Sequence, residues 1–269
     1  MNLKQVLEKK GIKGAPKSFD QIGDIAIIEI PDKLKNYEKI IGQTILDLHK
    51  NIRTVLKKAS PRTGRYRLRK LKLIAGVNKS ITEHKESGCR FLLNVRTCYF
   101  SPREGTERIR VAEKVGKGEH IMVFFAGVGP FPIIISKKTK ASDVVGIELN
   151  PACVRYFRRN IVLNKLTNVR VIQGDVQKVA KEFYGSCDRV LMPLPETGYK
   201  YLVYAIRCLK PEGVVHFYFI SPENEINKWK KLVRREASKL KMKTKIKEIK
   251  KVLPYGPRIY KWCIDFIVS

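Results

Sequence analysis

Acidic residues are scarce in this chain: 25 Asp and Glu stand against 55 Lys and Arg in 269 residues, a formal net charge of +30 at pH 7. That excess goes far beyond what solubility needs, so a polyanionic partner is expected. Nucleic acid fits best, with a membrane surface and the solvated Lys-rich surface of a heat-adapted protein as alternatives. No stretch approaches the roughly 18 apolar residues of a membrane span, and the start MNLKQVLEKKGIKG lacks the apolar run of a secretory signal. A cytoplasmic protein with no membrane partner is therefore expected. Six cysteines (Cys89, Cys98, Cys153, Cys187, Cys208, Cys263) form no CxxC pair and have no His at ligand spacing. This disfavours both zinc and a disulfide framework, so no metal is expected and each cysteine reads as a small buried hydrophobe. A 43% hydrophobic content can furnish a real core, which excludes disorder as the main description.

Residues 19–30, FDQIGDIAIIEI, alternate and are rich in β-formers, which predicts a strand. A helical stretch follows from Pro31 to about Lys58, with apolar positions Ile40, Ile41, Ile45, Leu46 and Leu48. From Ser60 the chain is very basic, carrying Arg62, Arg65, Arg67, Arg69, Lys70 and Lys72, and reads as a loop or strand facing nucleic acid. The segment CRFLLNVRTCYF (89–100) alternates again, and Ser101-Pro102 gives an N-cap and N1 pair at a helix start. After Gly118 the pattern changes to continuous apolar strands alternating with helices, the mark of a parallel sheet covered on both faces. Closing strands toward the end include an antiparallel hairpin. The expected architecture is α/β: a smaller basic α+β domain over 1–100, then a Rossmann-like domain over 101–269.

The turn Phe125-Ala-Gly-Val-Gly-Pro-Phe131 falls where the first parallel strand should end, and glycines there let backbone approach a ligand. Glu148 follows 21 residues after Gly127, at the end of the next strand, the spacing at which a carboxylate meets ribose hydroxyls. A third strand ends in Gly174-Asp175, adding an acid at the same edge. The turn lacks the third Gly of GxGxxG and no Lys-Ser/Thr follows it, which disfavours a dinucleotide or a nucleoside triphosphate. A nucleoside cofactor without phosphates, S-adenosylmethionine, fits better. Its pocket would draw on Phe125, Gly127, Val128 and Gly129 for the methionine portion and on Glu148 and Leu149 for the ribose. Asp175 and Val176 would lie by the adenine, and the family resemblance carried by the segments that follow implies Pro193 and Pro195 as a further wall. A tight turn with two capping acids is the competing account of the same residues.

These segments are identified as those of a known family. In order along the chain, SFDQIGDIAIIEIP, RYRLRKLKLIAG, HKESGCRFLLNV, YFSPREGTERIR, FFAGVGPFPI, IELNP, MPLP, GVVHFYFI and YGPRIYKWCIDF resemble the archaeal and eukaryotic tRNA guanosine-37 N1-methyltransferases and their wyosine-pathway relatives. The resemblance covers nearly the whole chain from about Ser18. It implies a class I methyltransferase domain, S-adenosylmethionine as cofactor, and the anticodon stem-loop of tRNA as partner, bound by a monomer. Guanine N1 carries a proton at neutral pH, so its methylation needs a base for that proton and a positive group for charge developing on O6. By the family's motifs, Glu107 in GTER would be the base, Arg67 in RYRLR would hold O6, and Arg108 would support the helix start. Tyr99 and Arg103 of YFSPR would seat the target nucleotide, and Arg62, Arg65 and Arg69 would meet phosphates. Tyr199 and Tyr201, after the MPLP turn, are rim candidates for a splayed-out base, with packing on their helix as the competing account.

Three departures stand out. Pro193-Leu194-Pro195 replaces the family's usual Asn-Leu-Pro, removing an amide that could read the guanine edge, and Val123 stands where an acid often holds the methionine part. The chain also starts almost directly at the family's middle domain. The resemblance leaves alternatives: methylation of a ring carbon in a tricyclic wyosine precursor, transfer of the cofactor's aminocarboxypropyl arm, or a tRNA-binding relative without catalysis.

Overall fold

Asn2 opens the first helix, α1 (Leu3–Lys9), with a capping box: its side chain accepts from the Gln5 amide while the Gln5 side chain accepts from the Asn2 amide. The structure, a computed structural model, describes residues 2–269, and the chain divides into two units, Met1–Arg103 and Glu104–Ser269. In the first unit β1 (Asp20–Ile22) and β2 (Ile25–Ile28) pair as an antiparallel hairpin. The 19–30 segment is thus two strands and not one. Gly23 turns the chain between them at φ +56, where a Cβ would lie 2.4 Å from the Glu83 carbonyl oxygen.

The expected long helix after Pro31 is also corrected. A 3₁₀ turn (Asp32–Tyr37) leads into α2 (Glu38–Leu48), and β3 (Thr54–Lys58) follows. Helical spacing stops at Leu48, and β-branched Thr54 and Val55 sit fully buried in a strand parallel to β2. That pairing supplies the backbone hydrogen bonds a helix would otherwise give. β4 (Leu71–Gly76) completes a sheet of order β1-β2-β3-β4, and β5 (Ile81–Glu86) pairs separately with β6 (Cys89–Asn94). Leu7 of α1 and Ile41 and Ile45 of α2 join Ile28 and Val55 in the core of this unit.

The second unit begins with α3 (Gly105–Ala112), preceded by a 3₁₀ turn at Pro102–Glu104, so the α-helix starts three residues beyond Pro102. Then β7 (His120–Phe124), α4 (Pro130–Lys138), β8 (Asp143–Glu148), α5 (Pro151–Leu163), β9 (Val169–Gln173) and the short α6 (Val176–Val179) alternate. They continue through β10 (Cys187–Met192), α7 (Leu202–Cys208), β11 (Leu209–Pro222) and α8 (Ile226–Ser238) to a hairpin of β12 (Thr244–Gly256) and β13 (Ile259–Val268). The seven strands lie in the order β12-β13-β11-β10-β7-β8-β9. Neighbours from β11 through β9 are parallel, and β13 runs antiparallel to both its partners. Strand order reverses between β7 and β10, and the crevice at the carboxyl ends there is where doubly wound sheets bind ligands.

Among the described residues no helix is long and apolar enough to cross a membrane. All six cysteines are buried free thiols.

Candidate active site

At the carboxyl edge of the second unit's sheet, β7 runs straight into the glycine turn. Phe125, Gly127 and Gly129 all take left-handed φ values, of 55°, 59° and 89°. Gly129 earns its place by packing: a Cβ there would lie 2.3 Å from the Phe157 ring of α5, and one on Gly146 of β8 would lie 2.5 Å from the same ring. Val128 is fully buried. Glu148, at the end of β8, accepts from the Gly127 amide at 2.7 Å and from the Asn150 amide at 2.7 Å. It therefore ties the turn after β7 to the start of α5. Burial raises its pKa, an effect the amides of Asn150, Gly127 and neighbouring Leu149 oppose.

Asp175 caps α6, accepting from the Gln177 amide at 3.0 Å, with Val176 buried beside it. The capping account holds for Asp175 but not for Glu148, since Asn150 is the N-cap of α5; both acids stand at strand ends of one sheet edge. Pro193 and Pro195 follow directly on β10, next to β7 in the sheet, and are half-buried. Tyr201 packs edge-on against Phe125 at 5.0 Å, whereas Tyr199 is exposed and meets the Trp229 ring. Val123 is fully buried in β7. The donor set suits a nucleoside: a fixed carboxylate, which only accepts hydrogen bonds, matches ribose hydroxyls, and the crevice lacks the Lys-Ser/Thr of a triphosphate site.

The first unit holds a cleft of its own. Arg62, Arg67, Arg69 and Tyr99 line it together with Asp20 and Lys58. The loop between β3 and β4 that carries the arginines closes through a Thr63–Leu68 bridge, and the Arg67 amide donates to the Gly64 carbonyl. Arg67 adopts φ +53, an uncommon backbone for a non-glycine residue and one that tends to persist where function holds it. The Arg62 guanidinium lies 4.1 Å over the Tyr99 ring. Arg103 joins the cleft indirectly, donating to Asp20 at 2.5 Å. Arg65 and Lys70 are exposed, and Lys72 is engaged by Glu38 at 2.8 Å.

Glu107 of α3 is buried, 5% exposed, in a charged layer between that helix and the sheet. It receives Arg110 through two bonds of 2.7 Å and the Tyr218 hydroxyl at 2.6 Å. Arg110 continues to Asp265 at 2.7 Å and Glu248 at 2.9 Å, and Lys114 bonds both of those acids. Asp265 in turn meets His216, whose other ring nitrogen lies 2.7 Å from Arg189. A guanidinium only donates, so that nitrogen accepts and Nδ1 carries the proton toward Asp265. His216, Cys263 and Asp265 stand close enough for a metal, but both His216 nitrogens are committed and the Cys263 thiol lies 3.2 Å from Asp265 as its donor. Arg108 is almost wholly buried beside this layer on the same helix.

Sequence reasoning missed Asp20, Arg110, His216, Tyr218 and Asp265. The available signal was weak: Arg110 follows Glu107 by three residues on a helix, and His216 and Asp265 interrupt the largely apolar runs 214–220 and 262–268.

Residues 82–246 match the family model described as the TRM5/TYW2 methyltransferase domain, and residues 1–79 match the TYW2 N-terminal domain. The chain belongs to the TRM5/TYW2 methyltransferase family. A relative from Pyrococcus abyssi, named tRNA (guanine(37)-N(1))-methyltransferase Trm5b, is 43% identical over 255 residues, covering 94% of this chain and 76% of the relative. Another, tRNA 4-demethylwyosine(37)-methyltransferase Taw21 from Saccharolobus solfataricus, is 33% identical and covers 81% of this chain and 82% of its own. Among solved structures, a complex of aTrm5 with tRNALeu matches with a TM-score of 0.90 at 30% identity, over 100% of this chain and 78% of that one.

Proposed function

We propose that this chain methylates N1 of guanosine 37 in tRNA, using S-adenosylmethionine. What carries the reading is the 43% identity, over 94% of the chain, to a relative named for that reaction. In this reading the first unit grips the anticodon stem-loop, and the second holds the cofactor; the enzyme works as a single copy in the cytoplasm.

When bound, the cofactor supplies a methyl group activated on its sulfonium. Glu148 and the turn at Gly127 would hold the nucleoside and methionine portions, and Asp175 and Val176 would flank the adenine. Glu107 would take the proton from guanine N1, leaving the nitrogen lone pair free to bond the methyl carbon as its bond to sulfur breaks and the neutral thioether leaves. Arg67 stabilises the charge that develops on O6. Tyr99 and Arg103 seat the nucleotide, Arg108 supports α3, and Arg62, Arg65 and Arg69 meet phosphates, a division that suits arginine's planar fork. The remaining contribution is alignment, with the nucleophile held in line about 3–3.5 Å from the carbon it attacks.

One observation favours a second reading. Pro193 stands where the family resemblance implies an amide that could read guanine, and the Saccharolobus relative is named for a methyltransferase acting on 4-demethylwyosine. The experiment is incubation with labelled cofactor and two tRNAs, one carrying unmodified guanosine 37 and one carrying 4-demethylwyosine, followed by nucleoside mass spectrometry. Label in 1-methylguanosine from the first supports the proposal. Label confined to the tricyclic base of the second replaces it with ring-carbon methylation.

A further inference from the structure

The layer around Glu107 can be counted donor by donor. A carboxylate offers about four lone-pair sites, two on each oxygen. Arg110 Nε occupies one on Oε2 and Arg110 Nη2 one on Oε1, both at 2.7 Å. The Tyr218 hydroxyl takes the second site on Oε1, at 2.6 Å. One acceptor site is left, on Oε2. The arginine cannot swing away to open another, because its remaining N–H groups meet Asp265 and Glu248. The hydroxyl is fully buried, and burial, with Cys263 and Glu107 close by, pushes its pKa far up, so it stays a donor.

We propose that Tyr218 and Arg110 are positioning residues for the proton acceptor: they fix the Glu107 carboxylate so that only Oε2 offers an open site for the proton leaving guanine N1. The inference rests on the reading of Glu107 as the base. Tyr218 reaches Glu107 from a strand 111 residues further along the chain, so the sheet itself sets the angle of the carboxylate. Asp265 works one step further back, since it anchors the guanidinium that forms the fork. A layer that merely docked α3 would not require Glu107 to receive a hydroxyl as well as a complete bidentate fork.

The test is a double-mutant cycle read as single-turnover rates at saturating tRNA and cofactor. Tyr218→Phe removes one hydroxyl and leaves the ring against Phe131 and Lys261. It is expected to slow methylation roughly 10- to 100-fold, the worth of a hydrogen bond to a charged group, with the affinities for tRNA and cofactor unchanged. In a Glu107→Gln background the same change should slow the reaction less than about twofold, since there is no longer a base to position. Arg110→Lys, which keeps the charge and loses the fork, should behave in the same way. Equal losses in both backgrounds, or unchanged rates in the single variants beside a slow Glu107→Gln, overturn the inference alone. Near wild-type turnover by Glu107→Gln overturns the base reading, and this inference with it.

Discussion

At Glu148 one carboxylate holds two backbone amides, those of Gly127 and Asn150, and in the proposed reaction it also accepts from the ribose. Glu148→Ala should therefore weaken S-adenosylmethionine binding at least about tenfold while leaving tRNA affinity within about twofold. Calorimetry on the two ligands separately decides it, and equal losses would make the acid purely structural. Arg67 poses a different question, because its side chain lines the cleft with Arg62 and Tyr99. Arg67→Lys keeps the charge without the planar fork. It should slow single turnover if the guanidinium holds O6, and should be nearly silent if it meets only a phosphate. The places of Glu148, closing β8, and Asp175, two residues past β9, were legible from the sequence because each ends an apolar strand-like run. Arg67 and Glu107 were singled out only through the family motifs, since nothing in their local spacing sets them apart from the chain's other charges.

Among the elements, α3 is unusual in docking through charge. Val111 and Ala112 are its buried apolar residues, while Glu107 and Arg110, with Lys114 two residues past the helix end, face Asp265, Glu248 and Tyr218. Burial alone would raise the pKa of Asp265, but the His216 ring, Arg110 and Lys114 outweigh it and hold the acid well below the ordinary carboxylate range. Its contribution is present above that range and is lost as the pH falls through and below it. Burial lowers the pKa of His216, against the pull of Asp265. The folded ring thus stays neutral where the unfolded one takes a proton, and stability falls as the pH drops below about 6.5. Both effects have the same sign. Urea unfolding should show stability rising from about pH 4 to pH 7, and Asp265→Asn should cost about 3 kcal/mol at pH 7 and less at pH 4. No sequence pattern announced this layer, because Arg110 and Asp265 are 155 residues apart and His216 and Asp265 are 49 apart. The alternating strands and helices after Gly118 were legible since each carries its own period. The end of α2 was not, because β3 is fixed as a strand by pairing with β2 and not by its own Lys-containing sequence.

Over the whole molecule the positive charge is unevenly spread. Residues 226–258 hold thirteen Lys and Arg against two glutamates, and both acids are already paired, Glu236 with Arg235 and Lys239 and Glu248 with Arg110 and Lys114. The net charge was plain from composition, but its placement needed the fold. If the loop between β3 and β4 neutralises phosphates, log affinity for tRNA should fall linearly with log salt. An Arg62→Ala, Arg65→Ala double variant should then flatten that slope by about 1.5. An unchanged slope would place the RNA elsewhere on the surface. The basic stretch has a second consequence, which follows from strand order. β12 closes one end of the seven-stranded sheet, and an outermost strand leaves a row of backbone groups that another chain could pair with. Lys245, Lys247 and Lys250 stand exposed along it, so two such strands brought edge to edge would repel one another. Colloidal stability should accordingly depend on these three ammonium groups. Replacing them with glutamine should raise light scattering on gentle warming in low salt, where the native chain stays clear, and added salt should narrow the difference by screening the repulsion.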